Sequence, residues 1–257
     1  MTDKRGDFVW YELMTPDVDA AQKFYGGLLG WEFADGGQPD MEYLLASKNG
    51  TEVAGFMTLT DEMTEGGAQP LWAGYVGVND VDASAKDVTT LGGTVMLEPQ
   101  DIPNVGRFAF LADPQGAPIY LMSLGEGSEA FAKHDPRDGH CAWNELVTDD
   151  PTSAKAFYTS LFGWEKDSEM DMGPMGLYEM FKTDDYAVGA IMKKPEMMPA
   201  SLWVYYFRVP NIDAAADFVK ASGGQVLTGP MEIPGGDHII NGMDPQGAFF
   251  ALIGSKG

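Results

Sequence analysis

Apolar and polar side chains alternate along residues 8–14, and most of the apolar ones are aromatic or branched, which predicts a β-strand. Apolar residues then recur at every fourth position and predict a helix with one apolar stripe. The stripe consists of Ala20, Phe24 and Leu28. Thr15 and Pro16 supply a capping hydroxyl and a first-turn proline, and Gly30 ends the predicted helix.

A second strand and a second helix are predicted at residues 71–78 and 81–91, and Gly92-Gly93 ends this helix. Two more strands follow, at residues 106–111 and 117–123. The turn between them has the sequence Asp-Pro-Gln-Gly, which favours type I, and we assign it no other role. Because about one helix accompanies four strands, the sheets are mixed or antiparallel and the fold class is α+β.

This pattern occurs twice along the chain. The segment VWYELMTPDVDAAQKFYGGLLGWEF, which begins at Val9, returns as AWNELVTDDPTSAKAFYTSLFGWEK, which begins at Ala142, at an offset of 133 residues. Further on the offset is 131 residues, and Asp-Pro-Gln-Gly-Ala at 113–117 recurs unchanged at 244–248. All 6 tryptophans fall into matched pairs. Internal repetition of this quality predicts duplicated domains.

We therefore predict two tandem domains, at residues 7–124 and 138–254, joined by a small, polar linker at 125–137. Each copy also divides in two, because Asp-Val-Asp-Ala opens a helix at residue 17 and again at residue 80. Each domain is thus predicted to consist of two βαβββ units.

The charge of the chain limits its partners. Its 39 acidic and 16 basic side chains give a formal net charge of −23. Such a surface repels phosphate backbones and anionic lipids, which argues against nucleic acid and membrane partners and favours solubility.

The single cysteine, Cys141, excludes an intrachain disulfide. Neither a signal-peptide pattern nor an uninterrupted apolar run of about 18 residues is present, so we expect a cytoplasmic protein.

The order of these motifs and their duplication resemble the glyoxalase / bleomycin-resistance / extradiol-dioxygenase superfamily, also called vicinal oxygen chelate proteins, in a tandem two-domain form. The resemblance covers nearly the whole chain twice. It implies that paired βαβββ units form curled mixed sheets around a cleft. In the metal enzymes of the family, a divalent ion lies in that cleft, bound by the first strand of a unit and by the strand after the Asp-Pro-x-Gly turn.

The positions that this resemblance assigns to metal ligands are not occupied by ligands here. Trp10 and Trp143 stand where the family has a histidine, and Tyr120 and Ala251 stand where it has a glutamate. The chain has only 3 histidines. Since zinc or iron needs about three protein ligands, we predict no cofactor, with a divalent metal as the less favoured alternative.

Two glutamates are the candidate catalytic residues. Glu12 and Glu145 each follow a matched tryptophan by two positions, so strand alternation places them on the same sheet face as Trp10 and Trp143. A carboxylate there is costly unless it is paired. It acts as a general base, a ligand anchor or an off-pattern metal ligand, or it is bonded to backbone or arginine and stabilises the fold.

Seven further residues are candidates for ligand binding. The two tryptophans favour stacking of a flat organic molecule, the tyrosines offer phenols, and the basic residues offer charge, while ordinary packing or surface exposure is the alternative for each. These residues are Trp10, Trp143, Tyr75, Tyr206, Arg107, His238 and Arg208.

We expect a glyoxalase- or bleomycin-resistance-like protein that binds a small aromatic or apolar molecule in sheet clefts without the usual metal triad. One alternative is a metal-dependent glyoxalase, similar to lactoylglutathione lyase, or a dioxygenase-like enzyme that uses Glu12 and Glu145. A second alternative is a non-catalytic stress or scaffold protein. The expected partner is a small molecule, and the chain is a monomer with an internal pseudo-dimer or a homodimer.

Overall fold

The computed structural model describes residues 5–37, 42–124, 128–183, 186–196 and 198–257, and within them it has sixteen strands and five α-helices. The elements of the first copy are β1 (Phe8–Thr15), α1 (Val18–Leu29), β2 (Glu32–Asp35), β3 (Tyr43–Lys48), β4 (Thr51–Thr58), α2 (Asp61–Glu65), β5 (Leu71–Gly77), α3 (Val81–Thr90), β6 (Thr94–Ile102), β7 (Gly106–Ala112) and β8 (Pro118–Leu124). Those of the second copy are β9 (Cys141–Thr148), α4 (Pro151–Phe162), β10 (Glu165–Asp171), a 3₁₀ turn (Gly173–Met175), β11 (Leu177–Thr183), β12 (Tyr186–Lys193), β13 (Leu202–Val209), α5 (Ile212–Ala221), β14 (Gln225–Glu232), β15 (His238–Met243) and β16 (Phe249–Gly254).

The predicted α+β class and the duplication are confirmed. Each copy has an eight-stranded mixed sheet, with strand order β2-β3-β4-β1-β5-β8-β7-β6 in the first and β10-β11-β12-β9-β13-β16-β15-β14 in the second. Within each half of a sheet, the first strand pairs parallel with the last one, and the remaining pairs are antiparallel. In the described part of the chain, no helix is long and apolar enough to cross a membrane.

The main helices begin at matched acidic or amide caps. The side chains of Asp17, Asp80, Asp150 and Asn211 each accept a hydrogen bond from a backbone N–H in the first turn. The prediction that Thr15 caps α1 was wrong, because β1 extends through Thr15 and Asp17 takes the capping position.

The chain divides into two compact units that do not coincide with the two sequence copies. Unit 1 contains the residues up to Val9, 73–128 and 144–204, and unit 2 contains 10–72, 129–143 and 205–257. Each unit therefore combines a βαβββ half of one copy with the complementary half of the other.

A buried tryptophan, tyrosine and aspartate form a hydrogen-bonded chain in each unit. In unit 2, Trp72 Nε1 donates to the Tyr25 hydroxyl at 2.9 Å, and this hydroxyl donates to Asp244 Oδ2 at 3.1 Å. The matched residues of unit 1 form the same two bonds at 2.9 and 3.1 Å: Trp203, Tyr158 and Asp113. Because tyrosine and aspartate come from different copies, each bond joins the two halves of its own unit.

The Asp-Pro-Gln-Gly motif therefore does more than form the predicted turn. Asp113 Oδ1 accepts the N–H groups of Gln115 and Ala117 at 2.8 and 2.9 Å, which closes the turn. Its other oxygen accepts the Tyr158 hydroxyl. Our view of the motif as a turn without another role was wrong, because spacing along the chain does not reveal a partner 45 residues away.

Part of the segment predicted as a linker packs into unit 2. Residues 125–127 lie outside the described residues. Beyond them, Ala130, Phe131 and Ala132 are buried, and the Ala132 N–H donates to the Cys141 carbonyl at 2.9 Å. This segment is thus attached to the start of β9.

Candidate functional site

Trp10, Tyr43 and Glu12 form a hydrogen-bonded cluster on β1 and β3, in unit 2. Trp10 Nε1 donates to the Tyr43 hydroxyl at 3.2 Å, and this hydroxyl also hydrogen-bonds with the carboxylate of Glu12. Glu12 is only 4% exposed. The alternation of β1 therefore places Trp10 and Glu12 on one face, and Tyr43 joins them there.

Gly55 of β4 makes room for this cluster. It lies opposite Glu12 in the β1–β4 register and opposite Leu45 in the β3–β4 register. A Cβ atom at Gly55 would lie 1.9 Å from the Tyr43 hydroxyl oxygen and 3.1 Å from Trp10 Nε1. Only a glycine allows the phenol to cross β4 and reach the carboxylate.

The electrostatics of the cluster fix its proton arrangement. Burial, together with the charge of Glu12, holds the pKa of Tyr43 well above its usual range. The phenol therefore remains a hydrogen-bond donor to Glu12 at neutral pH. Since the indole N–H is also engaged, Trp10 offers ring surface, and the carboxylate is the group available for a proton or a ligand donor.

The second copy has a related pair in unit 1. The Tyr178 hydroxyl donates to Glu145 Oε2 at 2.8 Å, and Glu145 is half-buried. Ala190 lies opposite Glu145 and takes the position of Gly55. Trp143, at the edge of unit 2, is half-buried, and its carbonyl accepts the Cys141 thiol at 3.3 Å.

Tyr75 lies in an aromatic stack in unit 1. Its ring is parallel to that of Tyr120, with centroids 4.1 Å apart and an interplanar angle of 5°. Phe110 lies on the other side, 4.3 Å from Tyr120. In unit 2 the matched tyrosine, Tyr206, is 3% exposed and lies opposite Ala251.

Arg107 does not join this stack, so its predicted binding role on the face of Tyr75 is wrong. Arg107 alternates with Ala109 and Leu111, which are fully buried on the face covered by α3. Its guanidinium donates to both oxygens of Asp82 on α3, at 2.6 and 2.9 Å. These bonds lower the pKa of Asp82 and raise that of Arg107.

His238 is likewise on the helix side of its sheet, since it alternates with Asn241 and shares a face with buried Ile240. The prediction that it faces a ligand alongside Tyr206 is therefore wrong.

Arg208 shares the face of Tyr206 but already has acidic partners. Its NH1 and NH2 donate to Asp237 at 2.7 and 3.3 Å, and its Nε lies 3.9 Å from Asp138. These contacts hold the pKa of Asp237 below its usual range. The expected pairing of Arg208 with Glu145 is replaced, because Asp237 takes both guanidinium donors.

A groove of about 470 Å³ lies in unit 1 between α3 and β6. Its lining includes Asp82, Lys86 and Glu98. Among the described residues, it contains none of the predicted site residues, so it is separate from the candidate site.

Tyr43 and Tyr178 are the site residues that the sequence did not reveal. They are matched positions, because Tyr43 is two residues before the partner of Gly55 and Tyr178 is two residues before the partner of Ala190. Here the copies are offset by 135 residues, against 133 at the first strand, and this local insertion conceals the repeat.

The comparisons with known proteins identify the family. The model for the Glyoxalase/Bleomycin resistance protein/Dioxygenase superfamily matches residues 7–121 and 139–252. The chain belongs to this superfamily. The glyoxalase-superfamily chain is 36% identical over 252 residues to "Putative glyoxylase CFP32" of Mycobacterium tuberculosis, covering 97% of this chain and 95% of that protein.

Two further similarities have different names. The chain is 30% identical over 261 residues to "Anthracycline biosynthesis protein DauV" of Streptomyces sp. strain C5, covering 95% of this chain and 91% of the relative. The Mn(II)-bound glyoxalase from Novosphingobium aromaticivorans has the same fold, with a TM-score of 0.67 at 16% identity over 99% of this chain and 84% of that one.

The residues of this chain do not fit the divalent metal of the family. Trp10 has an indole without a free lone pair, and Tyr75 and Tyr120 stack on each other. Across the part of the chain that the structure describes, no group of three or more histidine, cysteine, aspartate or glutamate side chains is arranged to hold a metal. We therefore derive no chemical step through a metal.

Proposed function

We propose that this glyoxalase-superfamily protein binds a small, flat, aromatic or apolar molecule without a metal centre. The observation that supports the proposal is the chemistry at the family's ligand positions. Trp10 is tethered by Tyr43 with its ring surface available, and Tyr75 stacks on Tyr120. Such surfaces favour stacking over coordination.

The test is equilibrium binding of N-phenyl-1-naphthylamine, a neutral aromatic probe whose emission rises in apolar surroundings. We expect saturable binding that EDTA does not change, and less than about a tenth of an equivalent of divalent metal in protein purified without a tag or chelator. Trp10→Ala is expected to weaken binding by about 10-fold. Trp10→Phe keeps a ring while losing the bond to Tyr43, and it should bind nearly as well.

Two results would contradict this function. One is the absence of saturable binding. The other is a stoichiometric metal whose removal abolishes binding. Equal loss in Trp10→Phe and Trp10→Ala would assign the effect to the lost hydrogen bond instead of stacking.

A second candidate is acid–base catalysis of the glyoxalase kind. Its support is the pairing of a glutamate with a tyrosine in both copies, Glu12 with Tyr43 and Glu145 with Tyr178. Formation of S-lactoylglutathione from glutathione and methylglyoxal, followed with and without added Mn²⁺, tests it. Loss of this activity in Glu12→Gln or Glu145→Gln would favour catalysis, and no activity in the parent protein would eliminate it.

A further inference from the structure

The second halves of the two copies present the same cross-strand row with different side chains. In unit 1, the register aligns Tyr75, Tyr120 and Phe110 on β5, β8 and β7. Their rings stack at 4.1 and 4.3 Å, so aromatic side chains fill this row. The row lies on the face opposite α3, because the alternating neighbours Ile119 and Leu121 are fully buried on the helix side.

In unit 2, the corresponding row is Tyr206, Ala251 and Asn241 on β13, β16 and β15. Each residue is 131 positions after its match in the first copy. Ala251 is therefore a tyrosine position without its phenol ring, and Asn241 brings an amide where the first copy has a phenylalanine.

Asn241 has an incomplete set of hydrogen bonds. Its Nδ2 donates to Thr228 Oγ1 at 3.2 Å. Its Oδ1 is shielded from solvent, and no hydrogen-bond partner for it occurs among the described residues. A buried acceptor of this kind costs about 1–3 kcal/mol when it stays unpaired, so such atoms usually have a water or ligand partner.

Comparison of the copies separates Asn241 from other shielded atoms. Thr15 and Thr148 are matched positions with the same feature, and so are Gln115 and Gln246. These pairs belong to the fold that both copies share. Within the described residues, the atoms without a match are on Asn241 and on His238, which lies on the helix side. Asn241 alone adds an unmatched acceptor to the face of Tyr206.

We infer that the Tyr206–Ala251–Asn241 row binds a phenol. The first copy supplies the template, since the Tyr120 side chain is itself a phenol held beside Tyr75. In the second copy, the ligand ring takes the corresponding place beside Tyr206, and its O–H donates to Asn241 Oδ1. Because Tyr206 is 3% exposed and Ala251 is fully buried, the row opens to admit the ring, and the hydrogen bond forms with little competition from water.

This inference deepens the proposed function by naming a ligand class, and it rests on that function only in treating the sheet face as a binding surface. The test uses phenol and anisole, which share a ring and differ in the donor, with binding to the full chain measured by calorimetry. We expect one phenol site per chain and at least about 10-fold weaker binding of anisole.

Three variants locate the site. Ala251→Tyr restores the missing ring and should abolish phenol binding, and Asn241→Leu should make phenol bind no better than anisole. Tyr120→Ala, the matched change in the first copy, should leave the site of the second copy intact. Circular dichroism checks the fold, and Asn241→Leu decides the matter if Ala251→Tyr does not fold.

The inference is overturned if phenol does not bind, which would leave Asn241 with water only. It is also overturned if anisole binds as tightly as phenol, or if both second-copy variants bind phenol like the parent. Binding of N-phenyl-1-naphthylamine that depends on Trp10 tests the proposed function separately, so each can fail alone.

Discussion

The aspartates of the two Asp-Pro-Gln-Gly turns show how one residue can have two structural tasks. One oxygen of Asp113 closes its own turn, and the other accepts the Tyr158 hydroxyl. Asp244 does the same with Tyr25. Desolvation raises the pKa of both aspartates, although their donors act in the opposite direction.

This pKa shift predicts the pH dependence of stability. A carboxyl group whose pKa is higher in the folded than in the unfolded chain stabilises the fold below the unfolded pKa, and that contribution is lost as pH rises through the folded pKa. The free energy of unfolding of the parent minus that of Asp113→Asn should therefore be larger at about pH 4 than at about pH 7. Urea unfolding across this range measures it.

Asp244→Asn serves as the matched repeat of that experiment in unit 2, and the difference should have the same sign. A difference that increases with pH would show that the hydrogen bonds outweigh desolvation and that the raised pKa is incorrect.

At the scale of strands, Gly55 determines how β1, β3 and β4 build the cluster of Trp10, Tyr43 and Glu12. The phenol passes where any side chain on β4 would stand. Ala190, at the matched position on β12, has the Cβ atom that Gly55 lacks, and Tyr178 still reaches its glutamate. The first copy therefore depends on this glycine and the second does not.

Gly55→Ala is expected to displace Tyr43, break its bonds to Trp10 and Glu12, and destabilise the protein by about 2–4 kcal/mol. The change should shift tryptophan emission and lower the midpoint of chemical unfolding. Ala190→Gly is the matched control, and we expect a loss of roughly 1 kcal/mol because it only frees the backbone. Equal losses in the two variants would mean that the Tyr43 contact contributes nothing.

These elements also show what the sequence could predict. The alternation at β1, the stripe of α1 and the repeat identified the strands, the helices and the superfamily, because these signals are periodic or local. Tyr43 and Tyr178 were missed, since their glutamates are 31 and 33 residues away and only strand register brings them together. Arg107 and His238 were assigned to the wrong face because the starts of their strands were known but not their registers.

For the whole molecule, duplication in sequence and compactness in space follow different divisions. Each unit takes one half from each copy, and the bonds Tyr25–Asp244 and Tyr158–Asp113 each join residues of different copies. A single copy therefore contains a tyrosine and an aspartate whose partners are both missing. Because the copies are matched, a second molecule of the same copy could supply both partners.

A fragment of residues 7–124 is accordingly expected to form a homodimer in which Tyr25 of each molecule bonds Asp113 of the other. Sedimentation equilibrium measures its association, and Tyr25→Phe should weaken it by about 10-fold or more because a buried carboxylate and the Trp72 indole each lose a partner. Tyr43→Phe is the control, since the bonds of Tyr43 stay within one half and the dimer should persist. A folded, monomeric fragment would show that the buried chain of tryptophan, tyrosine and aspartate does not determine how the halves combine.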